Sequence, residues 1–466
     1  MNAEPTEPTQ LVVGLYEQAS VGCGGAPGLW THPADDRVMV NSLDRWRNVA
    51  TTAEEAGLHA LFLADVLGLY DVYEGSLDAA VGEAVEAPAN DPFAYVPALA
   101  EVARRLAFVV TASTTYEHPF SLARRFATLD HLTDGRIGWN VVTSYLESAA
   151  RNFGLDGQLA HGDRYARADE FLEVVYRLLE GSWADDAVVA DKSVPVWARP
   201  GSVRPVHFEG EHFRVHGPAL TSPSPQRTPV LFQAGWSPRG REFGARHGEV
   251  LLLPKSDPAE IRAGLDDTRA RAAALGRVPG DVRALALARV VVGRTAAEAQ
   301  AKLEDLQSTY RLRAQLVSYS GDTGIDIARY ADDEPLTTTT NGLTSYVVRG
   351  DGDRPLTAGD VKRRFASVAR GGDLFFVGTP DEVAEAMSRH AGAAGLDGYL
   401  LNPLLSPGTL DDFAELVVPA LAARGAFDPT PKEGTLRARL RADGRDRLPA
   451  DFPGARHRFG LEASAG

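Results

Sequence analysis

Short apolar runs alternate with amphipathic stretches about eight times along the chain, and this alternation most constrains the fold. Runs such as Ile137–Val142 are uninterrupted and rich in β-branched residues, as expected of strands buried on both faces. Stretches such as Asp163–Glu180 carry apolar residues at helical spacing. Eight such units favour a closed (β/α)8 TIM barrel over an open doubly wound sheet. No G-x-G-x-x-G sequence follows the first predicted strand, Gln10–Tyr16, which weakens the open-sheet alternative.

The whole chain, residues 1–466, is predicted to form a single domain built on this barrel. The alternation is interrupted at about 181–229 and at about 295–373, and we interpret both stretches as insertions into the barrel. The second insertion contains a predicted helix and the run Thr337–Thr340. The tail, about 424–466, is charged and rich in Pro and Gly, so we expect it to wrap the surface or to be partly disordered.

Charge and cysteine content exclude several classes of function. The chain has 48 Lys and Arg against 63 Asp and Glu, a net charge of -15, which suits neither nucleic acid nor an anionic membrane as a partner. The single cysteine, Cys23, allows no intramolecular disulfide and no cysteine-based metal site. The acidic N-terminus resembles no targeting peptide, and no apolar run reaches the roughly 18 residues of a membrane span. We therefore expect a cytoplasmic protein.

Polar residues stand at or just past the ends of several predicted strands, where barrels bind their ligands. These residues are Asp65, Thr111, Ser113, Asn140 and Ser237. Asn140 lies inside an apolar run, so its side chain must bond either to neighbouring structure or to a ligand. Each residue alone could simply close a strand or cap a helix. Their convergence on one face of the barrel favours a binding site.

Two short motifs point to a phosphate. In the turn Gln233–Gly240, a strand passes through Gly235 into a helix start, with Ser237 at the cap and Pro238 at the first helical position. The N–H groups of such a start favour phosphate, although Ser237 could serve only as a cap. In HGDRY, His161 and Tyr165 are four residues apart and would share one helix face. A surface His and a half-buried Tyr are the alternative interpretation.

The stretch GRIGWNVVTSYLESAARNFG (135–154) resembles the bacterial luciferase-like flavin monooxygenases, in the branch of nitrilotriacetate monooxygenase, dibenzothiophene-sulfone monooxygenase and pristinamycin synthase. HALFLADV, HGDRYARADEFLEV and QAGWSPRGREFGARHGEV extend the resemblance over most of the chain. It implies the same barrel and, in place of a metal, flavin mononucleotide (FMN). The implied flavin-binding residues are Asp65, Thr111 or Ser113, Asn140, His161, Tyr165 and Ser237. Trp236 stands where the family more often has a small residue.

The resemblance implies a two-component monooxygenase, with chemistry that depends more on the cofactor than on the protein. A separate NAD(P)H:flavin reductase would supply reduced FMN (FMNH2). Its C4a-(hydro)peroxide, formed with O2, would transfer one oxygen atom to a small organic substrate. The alternatives are a flavin- or deazaflavin-binding protein without oxygenase activity and, on fold alone, a barrel hydrolase or aldolase. No catalytic residue is assigned; His118 is a candidate for proton transfer, but a structural role is favoured.

For substrate selection and for assembly, the sequence indicates segments of the chain and not individual residues. The loops 17–40 and 66–91 and both insertions match the family least clearly, so we expect them to select the substrate. The resemblance also implies a homodimer or homotetramer. The helix 118–132 is a candidate interface, because its apolar residues Phe120, Leu122, Phe126 and Leu129 could more than fill one buried stripe.

Overall fold

The computed structural model describes residues 10–22, 27–193, 195–336, 341–343, 355–369 and 374–460. Cys23 and Thr337–Thr340, which the sequence analysis singled out, lie outside the described residues. The strands, in chain order, are β1 Val12–Gln18, β2 Ala60–Ala64, β3 Ala107–Ser113, β4 Ile137–Val142, β5 Val188–Asp191, β6 Val196–Ala198, β7 Phe208–Glu209, β8 Arg214–Val215, β9 Val230–Gln233, β10 Val250–Leu253, β11 Arg283–Val292, β12 Leu374–Gly378 and β13 Gly398–Leu401.

Eight parallel strands close into a ring, which confirms the predicted (β/α)8 barrel. Their order is β1-β2-β3-β4-β9-β10-β11-β13, and β13 pairs back onto β1. The remaining parallel strand, β12, pairs only with the far half of β11, residues Ala288–Val292. β12 therefore extends the sheet as a ninth parallel strand that stands outside the ring.

Fifteen α-helices are described, most of them around this ring: α1 Leu43–Glu55, α2 Asp78–Glu83, α3 Val96–Ala100, α4 Pro119–Leu132, α5 Glu147–Asn152, α6 His161–Tyr176, α7 Pro238–His247, α8 Pro258–Ala274, α9 Ala296–Thr309, α10 Leu312–Thr323, α11 Ala358–Arg364, α12 Pro380–Ala394, α13 Gly408–Asp412, α14 Val418–Ala423 and α15 Leu436–Leu440. Several begin at a side-chain cap: Ser42 accepts from the Arg45 N–H, and Thr379 forms a capping box with Glu382. None of the described helices combines the length and apolar character needed to cross a membrane.

The tail closes the N-terminal end of the barrel. Leu436 and Leu440 of α15 are buried in the same cluster as the ring's inward-facing residues, such as Phe62 and Leu285. Between them, Arg437 is fully buried, and its guanidinium donates to both oxygens of Glu249, at 2.7 and 2.9 Å. The expectation of a surface-wrapping or disordered tail is therefore wrong for this helix. Because Arg437 is paired with Glu249 in the interior, a helix with a charged sequence can close the apolar end of the barrel.

The two insertions differ in where they pack. The first contains the small hairpins β5–β6 and β7–β8, and Glu170 of α6 accepts the N–H groups of His212 and Phe213 from the second hairpin. The second insertion has three described helices, α9, α10 and α11, where the sequence predicted one. Of these, α10 packs against α2 over the C-terminal ends of the strands.

Most of the apolar stripe predicted as an interface on α4 is already covered by its own chain. Leu122, Phe126 and Leu129 are buried within their own chain. Phe126 packs against Trp139 of β4 and against Phe93, with ring centroids 5.3 and 5.2 Å apart. These three residues therefore pack on the barrel of their own chain, whereas Phe120 is only partly buried, and the assembly stays a prediction.

Candidate active site

A cavity of about 350 Å³ lies at the C-terminal ends of the ring strands. Six of the seven predicted residues line it, namely Asp65, Thr111, Asn140, His161, Tyr165 and Ser237. The seventh, Ser113, lines a neighbouring cavity of about 370 Å³ that shares Asp65 and Thr111 with the first. The Ser113 hydroxyl is engaged within the loops, since it accepts from Ser144 Oγ at 2.8 Å. The structure thus brings together residues that are up to 172 positions apart in the sequence.

The turn after β9 starts α7 at one end of the cavity. Ser237 caps the helix, and its Oγ accepts the Gly240 N–H at 3.0 Å, which leaves the hydroxyl proton free to donate. His161 Nε2 lies 3.4 Å from the same oxygen. We call this part of the cavity the helix end; it consists of Ser237, His161, Tyr165 and the first turn of α7.

The helix α6 carries the other groups of the helix end. The Tyr165 ring is buried against His161 and Phe243, with centroids 5.1 and 5.4 Å away. Burial raises the pKa of Tyr165, so its hydroxyl remains a donor at neutral pH. Burial, with the charges of Arg164 and Arg239, lowers the pKa of His161, so the imidazole is neutral there. Both side chains can therefore donate one hydrogen bond without bringing a charge of their own.

Thr111 and Asn140 face each other on β3 and β4. The Asn140 Nδ2 donates to Thr111 Oγ1 at 3.0 Å, and both side chains are buried. The Asn140 Oδ1 is buried without a hydrogen-bond partner. A buried acceptor that lacks a donor is costly and uncommon, so this oxygen marks a position where a ligand N–H fits.

Asp65 follows β2 and lies between the two cavities. Its pKa is raised to about 7, first by burial and then by the nearby carboxylate of Asp91. Carboxyl groups whose pKa is shifted by burial and by a neighbouring charge are common in binding sites. Because the pKa of Asp65 is about 7, its carboxyl group can gain or lose a proton near neutral pH.

The sequence analysis missed a second group of polar side chains that line the cavity. The hydroxyls of Tyr70 and Tyr145 are 2.7 Å apart, and each lies 2.9 Å from Asp322 Oδ1. Gln18 donates its amide N–H to the carboxylate of Glu86. We call these five residues the acceptor end. Tyr145 lies within the motif GRIGWNVVTSYLESAARNFG, which was a usable signal, whereas Asp322 belongs to an insertion helix with no motif.

Residues 25–398 match the model of the luciferase-like monooxygenase family. The chain belongs to this family. It is 44% identical over 449 residues to the long-chain alkane monooxygenase of Geobacillus thermodenitrificans, covering 96% of this chain and 98% of that one. It is 39% identical over 453 residues to the dimethyl-sulfide monooxygenase of Hyphomicrobium sulfonivorans, covering 96% and 94%.

Two further matches bear on the cofactor. The nitrilotriacetate monooxygenase component A of Aminobacter aminovorans is 33% identical over 439 residues, covering 91% of this chain and 95% of that one. The crystal structure of a riboflavin lyase with modified FMN and its substrate riboflavin superimposes with a TM-score of 0.90 at 40% identity, covering 96% and 99%. The protein is a flavin-dependent monooxygenase, and the predicted family is confirmed.

The segments expected to select the substrate contribute unequally in this monooxygenase. The loop 66–91 supplies Val66, Leu67, Tyr70 and Glu86 to the cavity, and the second insertion supplies Asp322 and Leu343. From the loop 17–40, Gln18 alone lines it among the described residues. The first insertion contributes no described residue, because its hairpins pack on the outer side of α6. The expectation that this insertion helps to select the substrate therefore has no support from the lining of this cavity.

Two further residues of the monooxygenase have structural explanations. His118 caps α4, where its Nδ1 accepts the Phe120 N–H at 3.3 Å, and it does not line the cavity. Trp236, the departure from the family, lines the cavity and lies directly against Gly264 of α8. A Cβ at position 264 would overlap the indole, so the glycine provides the space for the larger side chain.

Proposed function

We propose that this monooxygenase binds reduced FMN, supplied by a separate NAD(P)H:flavin reductase, and inserts one oxygen atom from O2 into a small organic substrate. The observation that carries the proposal is the convergence of six predicted flavin-binding residues on one cavity at the strand ends. Its volume, about 350 Å³, lies in the range of roughly 300–1,000 Å³ usual for cofactor pockets.

The helix end fits a phosphate. Ser237, His161 and Tyr165 bring two hydroxyl groups and an imidazole together beside the first turn of α7, whose N-terminus favours an anion. Arg239, on the same turn, lies 5.4 Å from the centre of the Tyr165 ring, and its guanidinium is paired with Asp169 of α6. In this proposal Ser237 both caps its helix and donates its hydroxyl proton to the phosphate.

The centre of the cavity fits the flavin ring. The unpartnered Asn140 Oδ1 would accept a ring N–H, with Thr111 holding the amide in that orientation. Phe62 and Leu252 provide apolar walls below it. When bound, reduced flavin supplies the electrons and the site of O2 activation. The chain's own residues orient the ring and exclude water from it.

The relatives support the partner and the cofactor. One relative is named component A of its monooxygenase, which fits a system with a second, flavin-reducing component. Another was crystallised with a modified FMN. A homodimer or homotetramer stays a prediction, and its interface would have to lie away from the buried face of α4.

Anaerobic mixing of the protein with reduced FMN, followed by air, tests the proposal. We expect FMN to bind and, after air is added, a transient absorbance of the kind that the family resemblance implies for a C4a-(hydro)peroxide. Turnover should need NADH, FMN and a flavin reductase together, and NADH with FMN alone should give none. Binding without the transient would favour a flavin-binding protein that lacks oxygenase activity. Failure to bind either form of FMN would contradict the proposal.

A further inference from the structure

The neighbouring cavity, of about 370 Å³, adjoins the candidate active site along a shared wall. Five residues line both cavities, namely Asp65, Val66, Leu67, Glu86 and Thr111. Thr111 is also the residue that accepts a hydrogen bond from the Asn140 amide, where the flavin ring is proposed to lie. The neighbouring cavity therefore ends beside the proposed position of the ring.

At its other end the neighbouring cavity reaches the surface of the protein. Ala89, Asp91 and Asn152 line it, and all three residues are exposed. Ala89 and Asp91 belong to the loop between α2 and α3, whereas Asn152 ends α5. The neighbouring cavity thus runs from solvent to the shared wall.

The first cavity reaches the surface at the helix end. Ala234 is exposed there, and Gly235, Trp236 and Ser237 are partly exposed. In the proposed function, the phosphate of FMN is bound at this position. Bound FMN therefore fills this opening, and another molecule must reach the ring by a different route.

The acceptor end covers the centre of the first cavity with a set of hydrogen bonds. The hydroxyls of Tyr70 and Tyr145 are 2.7 Å apart, and each lies 2.9 Å from Asp322 Oδ1. The N–H of Leu343, another lining residue, donates to the carbonyl oxygen of Asp322 at 2.8 Å. Entry through this cover would require these bonds to break, whereas the neighbouring cavity already provides an open path.

The lining of the neighbouring cavity suits a molecule with an apolar body. Leu69 and Phe93 add apolar surface to that of the shared wall. Among the described residues that line this cavity, Arg125 is the one basic side chain. Its guanidinium donates to Glu117 at 3.0 Å and lies 4.6 Å from the centre of the Phe93 ring. Because this ion pair has no net charge, the cavity offers an anion no unpaired cation.

Resting on the proposed function, we propose that the neighbouring cavity is the entrance by which a small, largely apolar substrate reaches the flavin ring after FMN has bound. The substrate passes Ala89 and Leu69 and crosses the shared wall at Val66, beside Thr111. Cofactor and substrate therefore use separate openings, and substrates can exchange while FMN stays bound.

Substitutions that narrow the entrance without changing the first cavity test this inference. Ala89→Phe and Leu69→Trp enlarge side chains that line the neighbouring cavity and not the first one. A narrower route raises the barrier for entry and for exit equally. We therefore expect the association and dissociation rate constants of hexan-1-ol each to fall at least about tenfold, with the dissociation constant changed by less than about twofold.

Stopped-flow absorbance of the bound oxidised flavin reports the binding of hexan-1-ol to FMN-loaded protein without turnover. Ala301→Phe enlarges an exposed residue of α9 that lines neither cavity, and it is the matched control, with both rate constants unchanged. The association rate of FMN is measured first and should be the same in every variant, because FMN enters at the helix end. Circular dichroism verifies folding.

Unchanged rate constants in the folded entrance variants, or no binding of hexan-1-ol to the FMN-loaded parent protein, would overturn the inference. A changed dissociation constant with an unchanged association rate would make the neighbouring cavity a binding site and not an entrance. Slower FMN association in the same variants would show one shared opening and would also overturn it. Failure of the parent protein to bind FMN would contradict the proposed function itself, and it is recognised before the alcohol is added.

Discussion

The helix end and the acceptor end of the cavity are built in different ways. The helix end stands on two elements of the barrel, α6 and the turn from β9 into α7, and its residues lie close together in two short motifs. The acceptor end joins a strand end, two loops and an insertion helix, with Gln18 and Asp322 about three hundred positions apart. The comparison teaches that the proposed cofactor site stands on elements of the barrel, whereas the acceptor end is assembled from loops and an insertion helix that meet only in the tertiary structure.

The largest expected effect comes from crowding the helix end. In Gly235→Ala, the new Cβ would overlap the Tyr165 hydroxyl and the Gln233 amide. We expect a loss of about 1–3 kcal/mol in the free energy of unfolding and at least about a hundredfold in FMN affinity. Gly162→Ala is the control, because a Cβ there meets no atom within 4 Å. Thermal unfolding and FMN titration measure both, and equal behaviour of the two variants would contradict the tight packing of this turn.

Two substitutions of Ser237 distinguish its role as a helix cap from its proposed role in binding phosphate. Ser237→Ala and Tyr165→Phe should each weaken FMN binding by about 0.5–3 kcal/mol, the scale of hydrogen bonds to charged groups. Ser237→Asp keeps a good cap but places a negative charge beside the phosphate, so it should bind FMN more weakly than Ser237→Ala while unfolding at a higher temperature. Fluorescence titration and thermal unfolding report the two quantities. Stronger FMN binding by the Asp variant would place the phosphate elsewhere.

One ion pair joins the start of α10, the helix that carries Asp322, to α2. Arg311 donates twice to the buried carboxylate of Glu83, at 2.5 and 2.7 Å. Arg311→Ala leaves that carboxylate unpaired, and we expect about 1–2 kcal/mol easier local opening of α10, seen as faster hydrogen exchange, with FMN affinity nearly unchanged. Arg313→Ala, which breaks an exposed pair with Glu74, should change little. A large loss of FMN affinity in Arg311→Ala would show that the two ends are coupled.

Asp65 lies between the two cavities and gives the smallest effect. Because its folded pKa, about 7, is above the ordinary 3.8, the folded state holds this proton more tightly than the unfolded chain. The free energy of unfolding should therefore fall as pH rises from about 4 to 7, by about 1 kcal/mol once partial exposure is allowed for. Asp65→Asn removes this part of the slope, and Asp91→Asn moves it to lower pH. Urea unfolding at several pH values tests both shifts.

The sequence predicted the barrel and most of the candidate site because the patterns that indicate them are short. Strand runs, caps and strand-end polar residues are read within a few positions, and a closed parallel ring brings every strand end to one face. Six of the seven predicted residues line one cavity because each follows or faces a ring strand. Ser113 lines the neighbouring cavity instead, and its hydroxyl accepts a hydrogen bond from Ser144.

What the sequence by itself determined is the family, the closed barrel and the helix end, because each depends on residues that are close in the chain. The tertiary structure alone decided the packing of α15 into the barrel, the burial of the α4 stripe and the meeting of Asp322 with Tyr70 and Tyr145. These contacts join segments with no shared pattern. The sequence around a charged residue such as Arg437 does not show whether its side chain is solvated or paired in the interior. Only the position of its partner, Glu249, shows that it is paired and buried.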